Sequence, residues 1–224
     1  MSSQPIISPL REDIIHKICS GQVVVTLCSA VKELVENSID AGASKIEVRF
    51  KDYGSESIEV IDNGSGIDEK DFAAITGKHS TSKLRQFEEL NSVQSYGFRG
   101  EALSSKLSVH TCTTDAVVGT YLEFNSNGSI ASSRPMARAR GTTVTVKQLF
   151  HCLPVRRRHL TDPARVAKEF AKAVNLLTAY CVVSVGVQIS CFRIAKSGEK
   201  IAVLSNGSSQ SLRGNISEIF GHQQ

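Results

Sequence analysis

From Thr26 to Ala41 the apolar residues Leu27, Val31, Leu34 and Val35 recur at helical spacing, and Gly42 follows as a stop signal, so the pattern predicts a helix there. The rhythm then changes to period two. Ile46, Val48 and Phe50 alternate with polar positions in KIEVRFK, a turn-like DYGS follows, and SIEVID alternates again, which together predict an antiparallel hairpin. Beyond it, Asp68 to Thr76 fits a short helix with Asp68 as N-cap ahead of Phe72 and Ile75. The segment Gly77 to Gly100 is polar, has glycine at both ends and shows little periodicity, and is expected to be a mobile lid. Strand signals return in KLSVHTCT, GTYLEFN and GTTVTVK, the last two separated by an Asn127-Gly128 turn and the loop SSRPMARAR. Val166, Phe170, Ala173, Val174 and Leu177 mark a second long helix, followed by strands VVSVGVQISCF and IAVLS. Elements grouped in this way predict an α+β sandwich with helices on one face of a mostly antiparallel sheet.

Composition narrows the class. With 224 residues, 41% of them hydrophobic, the chain is long enough to bury a real core. A net charge of +4 tolerates nucleic acid without demanding it. The six cysteines include no C-x-x-C pair, which argues against a zinc site or a disulfide framework and fits reduced thiols. The start, MSSQPIISPLRED, is polar and broken by two prolines, so no secretory leader is expected. AYCVVSVGVQISCF is too short to span a bilayer and reads as buried strand, so no membrane association is expected.

Several clusters suit chemistry. On a helical wheel Glu33 and Asn37 lie about 40° apart at the edge of the apolar stripe, one turn from each other. A carboxylate there can orient and deprotonate water while an amide oxygen takes a position on Mg²⁺. Glu36 projects nearly opposite the stripe and, with Asp40, reads as a polar helix residue. In Asp62-Asn63-Gly64-Ser65-Gly66 a strand end runs into glycines, where backbone can approach a flat ligand and a carboxylate can accept from an exocyclic amine. Gly97-Phe98-Arg99-Gly100-Glu101 frees successive N–H groups for phosphate oxygens, and Ser80, Thr81, Ser82 and Lys83 supply hydroxyls and a cation. Gly141-Thr142-Thr143 opens a strand. Each cluster alone also has a bland reading, as a solvated helix edge, an Asp-Gly turn or plain β-propensity.

Taken in order, ELVENSIDAGA, DNGSGI, KHSTSK, GFRGEAL and GTTV resemble the nucleotide-binding motifs of the ATPase superfamily shared by gyrase, Hsp90, histidine kinases and MutL. KELVENSIDAGA before GFRGEAL and QLFHCLPVRRRHL after it resemble the MutL mismatch-repair family, nearest its eukaryotic Pms-type subunits, from about Ile14 onward. The resemblance implies a Bergerat-type two-layer sandwich, with residues 1–13 as a flexible segment, 14–224 as an ATP-binding domain and a lid at about 77–100. It implies Glu33 as general base, Asn37 as Mg²⁺ ligand, Asp62 on adenine with Thr143 supporting that contact through water, and Gly66 in the same loop. Phosphates would lie against Thr81, Ser82, Lys83 and the backbone of Gly97, Phe98, Arg99, Gly100 and Glu101. ATP would order the lid and drive association of two such domains, and slow hydrolysis would release them. The implied setting is the nucleus, in a heterodimer with a second MutL homologue that couples a MutS-type mismatch-recognition complex to strand incision.

Two departures from the family pattern carry consequences. Lys106-Leu107-Ser108-Val109 follows GFRGEALSS at once, where the family has a longer helix, and the transducer and C-terminal domains, with their γ-phosphate lysine and nuclease site, are not in this sequence. Slower turnover is expected, and no nuclease activity. The rival expectation is a non-hydrolysing interaction or DNA-binding module; a kinase lacks any visible phospho-acceptor helix. Arg134, Arg138, Arg140 and Arg156-Arg157-Arg158 could meet DNA phosphates without reading sequence, though a solvated basic face is the plainer reading. His110 with Cys112 and His151 with Cys152 are assigned to packing or surface rather than metal.

Overall fold

The computed structural model describes residues 26–76, 106–149 and 162–221. The expected lid, the N-terminal segment 1–13, His151 and Cys152, and the run Arg156-Arg157-Arg158 lie outside them.

Helix α1 (Leu27–Asp40) begins where Thr26 caps it: the Thr26 hydroxyl accepts from the Ser29 amide, and the Ser29 side chain returns the bond to the Thr26 amide. Its stripe of Leu27, Ala30, Val31, Leu34 and Val35 is buried, and Ser38 continues that stripe as a polar member. Strands β1 (Lys45–Lys51) and β2 (Ser57–Asp62) form the expected hairpin, with Val48 opposite Val60 and Ile46 opposite Asp62. The short helix expected after it is present as a 3₁₀ helix, Glu69–Ala74, with Asp68 at its N-cap position, but Asp68 makes no capping bond, its carboxylate lying 3.4 Å from Lys70. With Asp68 unable to satisfy an amide of the first turn, the short segment keeps the tighter winding typical of brief helical pieces.

Strands β3 (Lys106–Cys112), β4 (Thr120–Phe124), β5 (Ile130–Pro135) and β6 (Gly141–Lys147) follow. β5 occupies part of what reads in sequence as the loop SSRPMARAR. Among the described residues it pairs with β4 alone, at the sheet's edge, and nearly all its residues are exposed, so no hydrophobic alternation announces it. Helix α2 (Pro163–Val183) is capped by Asp162 and runs through Val182 and Val183, two residues that read as strand; β7 (Gln188–Ile194) begins only after the turn at Gly186. β8 (Lys200–Ser205) and α3 (Leu212–Phe220) complete the order, and α3 adds a helix that the sequence pattern did not announce.

Among the described residues the sheet has eight strands in the order β5-β4-β3-β6-β2-β1-β7-β8, antiparallel except for β1 with β7. One face carries Ile46, Val48, Phe50, Ile58, Val60, Val109, Leu122, Val146 and Ile189, packed with α1 and α2 into a single core. Phe50 and Tyr53 each meet Phe170 edge-on, at 5.1 and 5.3 Å, pinning α2 to the β1 corner. The last turn of α2 is held by asparagines: Asn206 donates to the carbonyls of Cys181 and Val187, Asn215 donates to that of Val182, and both side chains are buried. The opposite face is polar, with Arg49 bridging Glu47 and Glu59.

Candidate functional site

One end of the sheet gathers the C-terminal ends of β2 and β3 with the start of β6, because β2 and β3 both run antiparallel to β6. The C-terminal turn of α1 crosses above this end. Asp62, the last residue of β2, therefore points toward the helix layer and is 7% exposed.

A carboxylate so deeply placed needs donors. Asp62 has three: its Oδ1 accepts from the Gly64 amide at 2.8 Å and the Thr142 amide at 3.1 Å, and its Oδ2 accepts from the Ser38 hydroxyl at 3.0 Å. An ionised carboxylate offers about four lone-pair positions, so one acceptor position is left for a ligand. The loop behind it is fixed from several sides. Asn63 Oδ1 accepts from the amides of Ser44 and Lys45, the Ser65 amide donates to the Ala41 carbonyl, and the Ile67 amide donates to Thr111. Glycine is required at two points of contact. At Gly66 (φ +78°) an added Cβ would lie 2.3 Å from the Cys112 carbonyl oxygen; at Gly141 (φ +122°) it would lie 2.1 Å from that of Asp62.

On α1, Glu33 is half-buried and Asn37 is exposed, both at the edge of the buried stripe. Asn37 directly precedes Ser38, whose hydrogen bond to Asp62 ties the last turn of α1 to the loop. Glu36, read in sequence as a plain polar position, faces α2 instead: it accepts from the Tyr180 hydroxyl at 2.7 Å and pairs with Lys32 at 2.9 Å. Burial, that bond, and the charges of Glu36 and Glu33 push the Tyr180 phenol well above its ordinary range.

Thr143 lies away from the helix layer. Side chains alternate along β6, and Thr142, Val144 and Val146 share the helix-side face, whereas Thr143 lies on the other, its Oγ1 accepting from Arg138 at 3.2 Å. The threonine beside Asp62 is Thr142, buried and 3.1 Å from the Thr111 hydroxyl. Alternation with Val144 and Val146 carried the signal. Thr81, Ser82, Lys83, Gly97, Phe98, Arg99, Gly100 and Glu101 lie outside the described residues. Arg138 donates to the Asp62 carbonyl and Arg140 to that of Gly64, and Arg134 stacks over the Tyr121 ring at 4.8 Å, while Arg134 and Arg140 stay exposed. His110 sits against the Met136 carbonyl, 3.1 Å away, and the Tyr121 ring. Among the described residues no helix is long and apolar enough to cross a membrane.

A helix carrying a carboxylate and an amide, set over a sheet that ends in an acidic glycine loop, is the arrangement expected of an ATP-binding domain of the gyrase and Hsp90 class. The sequence profile described as "Histidine kinase-, DNA gyrase B-, and HSP90-like ATPase" matches residues 25–135. The mismatch repair endonuclease PMS2 of Homo sapiens is 48% identical over 97% of this chain, which spans 26% of that protein. Among solved structures, the N-terminal domain of a DNA repair protein superimposes with a TM-score of 0.78 at 41% identity, over 95% of this chain and 62% of that one. The Aquifex aeolicus MutL ATPase domain complexed with ADP gives 0.67 at 28% identity, over 88% and 70%. The chain belongs to the MutL family of DNA mismatch-repair proteins and has the sequence and fold of a Pms-type N-terminal ATPase domain. It spans about a quarter of the length of the curated relatives it matches.

Proposed function

We propose that this chain binds Mg-ATP between the Glu33–Asn37 edge of α1 and the 62–66 loop, hydrolyses it slowly, and works as a nucleotide-driven switch. The observation that supports this most is the 3.0 Å hydrogen bond from Ser38 to Asp62, which ties the last turn of α1 to the acidic loop. In this reading Glu33 takes a proton from the attacking water. Asp62 uses its remaining acceptor position for the exocyclic amine of adenine, and the glycines at 64 and 66 keep the loop flat enough for a ring to approach. Thr81, Ser82, Lys83 and the backbone from Gly97 to Glu101 hold the phosphates. Asn37 gives Mg²⁺ one amide oxygen; among the described residues no cluster of three His, Cys, Asp or Glu exists, and magnesium suits so sparse a donor set because it keeps waters and takes phosphate oxygens. When bound, the ion neutralises phosphate charge. The ADP complex of the similar Aquifex domain supports nucleotide binding.

Residues 14–224 then form the binding domain, and nucleotide orders segment 77–100 and residues 1–13. In the longer protein the reading extends to association with a second MutL homologue, non-specific contact with DNA, response to a MutS-type complex, and work in the nucleus. One observation favours a second reading, a module that binds nucleotide or DNA without turnover. β3 starts at Lys106, which leaves only Ala102 to Ser105 after Glu101, about one helical turn.

A thermal-shift titration with a non-hydrolysable ATP analogue tests the binding claim. The wild-type chain should gain stability in proportion to occupancy, more with Mg²⁺ than without, and Asn37→Ala should lose the Mg²⁺-dependent increment. No shift at saturating analogue would contradict it.

A further inference from the structure

Arg138 and Arg140 lie in the connection between β5 and β6, a stretch that reads in sequence as a basic loop. Both reach the backbone of the acidic loop, Arg138 from a half-buried position and Arg140 from an exposed one. Arg138 is half-buried, its stem packed against Gly119, and its guanidinium spends three nitrogens on local acceptors. Nε donates to the Ala139 carbonyl at 2.9 Å, Nη1 to the carbonyl of His110 and to the Thr143 hydroxyl at 3.2 Å, and Nη2 to the carbonyl of Asp62 at 3.3 Å. Two residues on, Arg140 Nε donates to the Gly64 carbonyl at 3.0 Å. The two cations thus bracket Asp62-Asn63-Gly64 from below through its backbone, while Ser38 and the Thr142 amide hold the Asp62 carboxylate from above. A charged donor fork gives stronger and more directional bonds than neutral donors, and Arg138 stitches the ends of β2, β3 and β6 with one side chain.

We propose that Arg138 and Arg140 are positioning residues for base recognition: by fixing the carbonyls of Asp62 and Gly64 they set the angle at which the Asp62 carboxylate meets an adenine amine. This rests on the reading of Asp62 as the adenine acceptor. Neither arginine touches the nucleotide. Their positive charge faces carbonyl oxygens rather than phosphates, so they act on which base is accepted, not on how strongly the triphosphate is held.

The test compares binding of ATP and of inosine triphosphate, in which a carbonyl replaces the amine, to the full chain in the presence of Mg²⁺. Arg138→Gln with Arg140→Gln should lower the preference for ATP on the order of tenfold, the scale on which small misplacements of a binding group act. Inosine triphosphate affinity should change little. Arg140→Lys, which can still donate one bond to the Gly64 carbonyl, should retain the preference in an otherwise wild-type background. Arg138→Lys should not, since an ammonium cannot serve acceptors on three strand ends from one rigid fork. Circular dichroism and melting of the nucleotide-free variants establish folding; if the double variant unfolds, Arg140→Gln alone, at an exposed side chain, carries the comparison. Equal weakening of both nucleotides would place the arginines on the phosphates and overturn the proposal, and so would an unchanged preference. Asp62→Asn is read alongside: if it leaves the preference for ATP intact, the reading of Asp62 itself is wrong, whereas loss in Asp62→Asn with none in the arginine variants defeats the arginine proposal only.

Discussion

The hydroxyl of Tyr180, near the end of α2, donates a 2.7 Å hydrogen bond to Oε1 of Glu36 on α1, 144 residues away in sequence. The pair fixes the rotation of α1 about its own axis, and Lys32 closes on the same carboxylate. Because Glu33 lies one turn of the same helix away, the setting of the proposed base depends on a contact with a helix that itself contributes nothing to the nucleotide loop.

Tyr180→Phe should remove this inter-helix bond without opening a cavity. Stability should fall by about 1 kcal/mol, at the low end for a bond to a charged group because the pair is only half-buried. Urea unfolding with an unchanged m-value checks this. A stability equal to wild type would show that the bond from Tyr180 does not stabilise the fold.

Gly141→Ala should cost more. The backbone there adopts φ +122°, and a Cβ would sit 2.1 Å from the Asp62 carbonyl oxygen, a neighbour that belongs to the central strand β2 and cannot step aside cheaply. A loss of about 1–3 kcal/mol is expected from the strained backbone alone, together with weaker nucleotide binding as Asp62 shifts. Melting temperature and ATP-analogue affinity should fall together. Full affinity in a destabilised variant would separate the loop from the binding site.

Thr142 and Thr143 should respond oppositely to valine. Thr142→Val breaks the hydroxyl pair with Thr111 beside Asp62 and should weaken ATP-analogue binding several-fold. Thr143→Val loses a bond to Arg138 on the far face of the sheet and should leave affinity within about twofold, as for changes away from a binding site. The reverse result would return the role to Thr143.

Stability should also decline in alkali through two interior thiols. Burial raises the Cys181 thiol to about 11 and the Cys191 thiol to about 12, against an ordinary 9.0. Both folded values exceed the unfolded one, so this contribution is fully present below pH 9 and is lost as the pH climbs through the raised values, since only the unfolded chain releases those protons early. Denaturant midpoints measured between pH 8 and the onset of alkaline unfolding should drop progressively, and alanine at both positions should flatten the profile after its own stability cost is subtracted.

What the sequence disclosed follows from where each residue faces. The α1 stripe and the β1–β2 hairpin are legible because every second or every third-to-fourth side chain enters the same core, so burial writes its period into the chain. β5 is illegible because both of its faces meet water, so no apolar alternation marks it. Val182 and Val183 favour strands intrinsically, yet the packing of Leu177 and Cys181 and the asparagine bonds to the last carbonyls carry the helix through them. α3 leaves Leu212, Ile216 and Phe220 exposed, an inverted signal. At the site, Asp62 stands out as an acid closing an apolar alternation. Ser38 was visible in principle as a polar residue four positions after Leu34 in the same stripe. The reach of Arg138 and Arg140 to the loop was not, because their acceptors are carbonyls of other strands, and backbone geometry leaves no trace in residue type.

The most direct measurement is steady-state hydrolysis of Mg-ATP by the wild-type chain and by Glu33→Ala, with analogue binding measured on both. Slow turnover in the wild type, reduced to background by the substitution while binding persists, is the result expected if the α1 carboxylate activates water. Equal rates in the two proteins, with nucleotide bound to both, would contradict it.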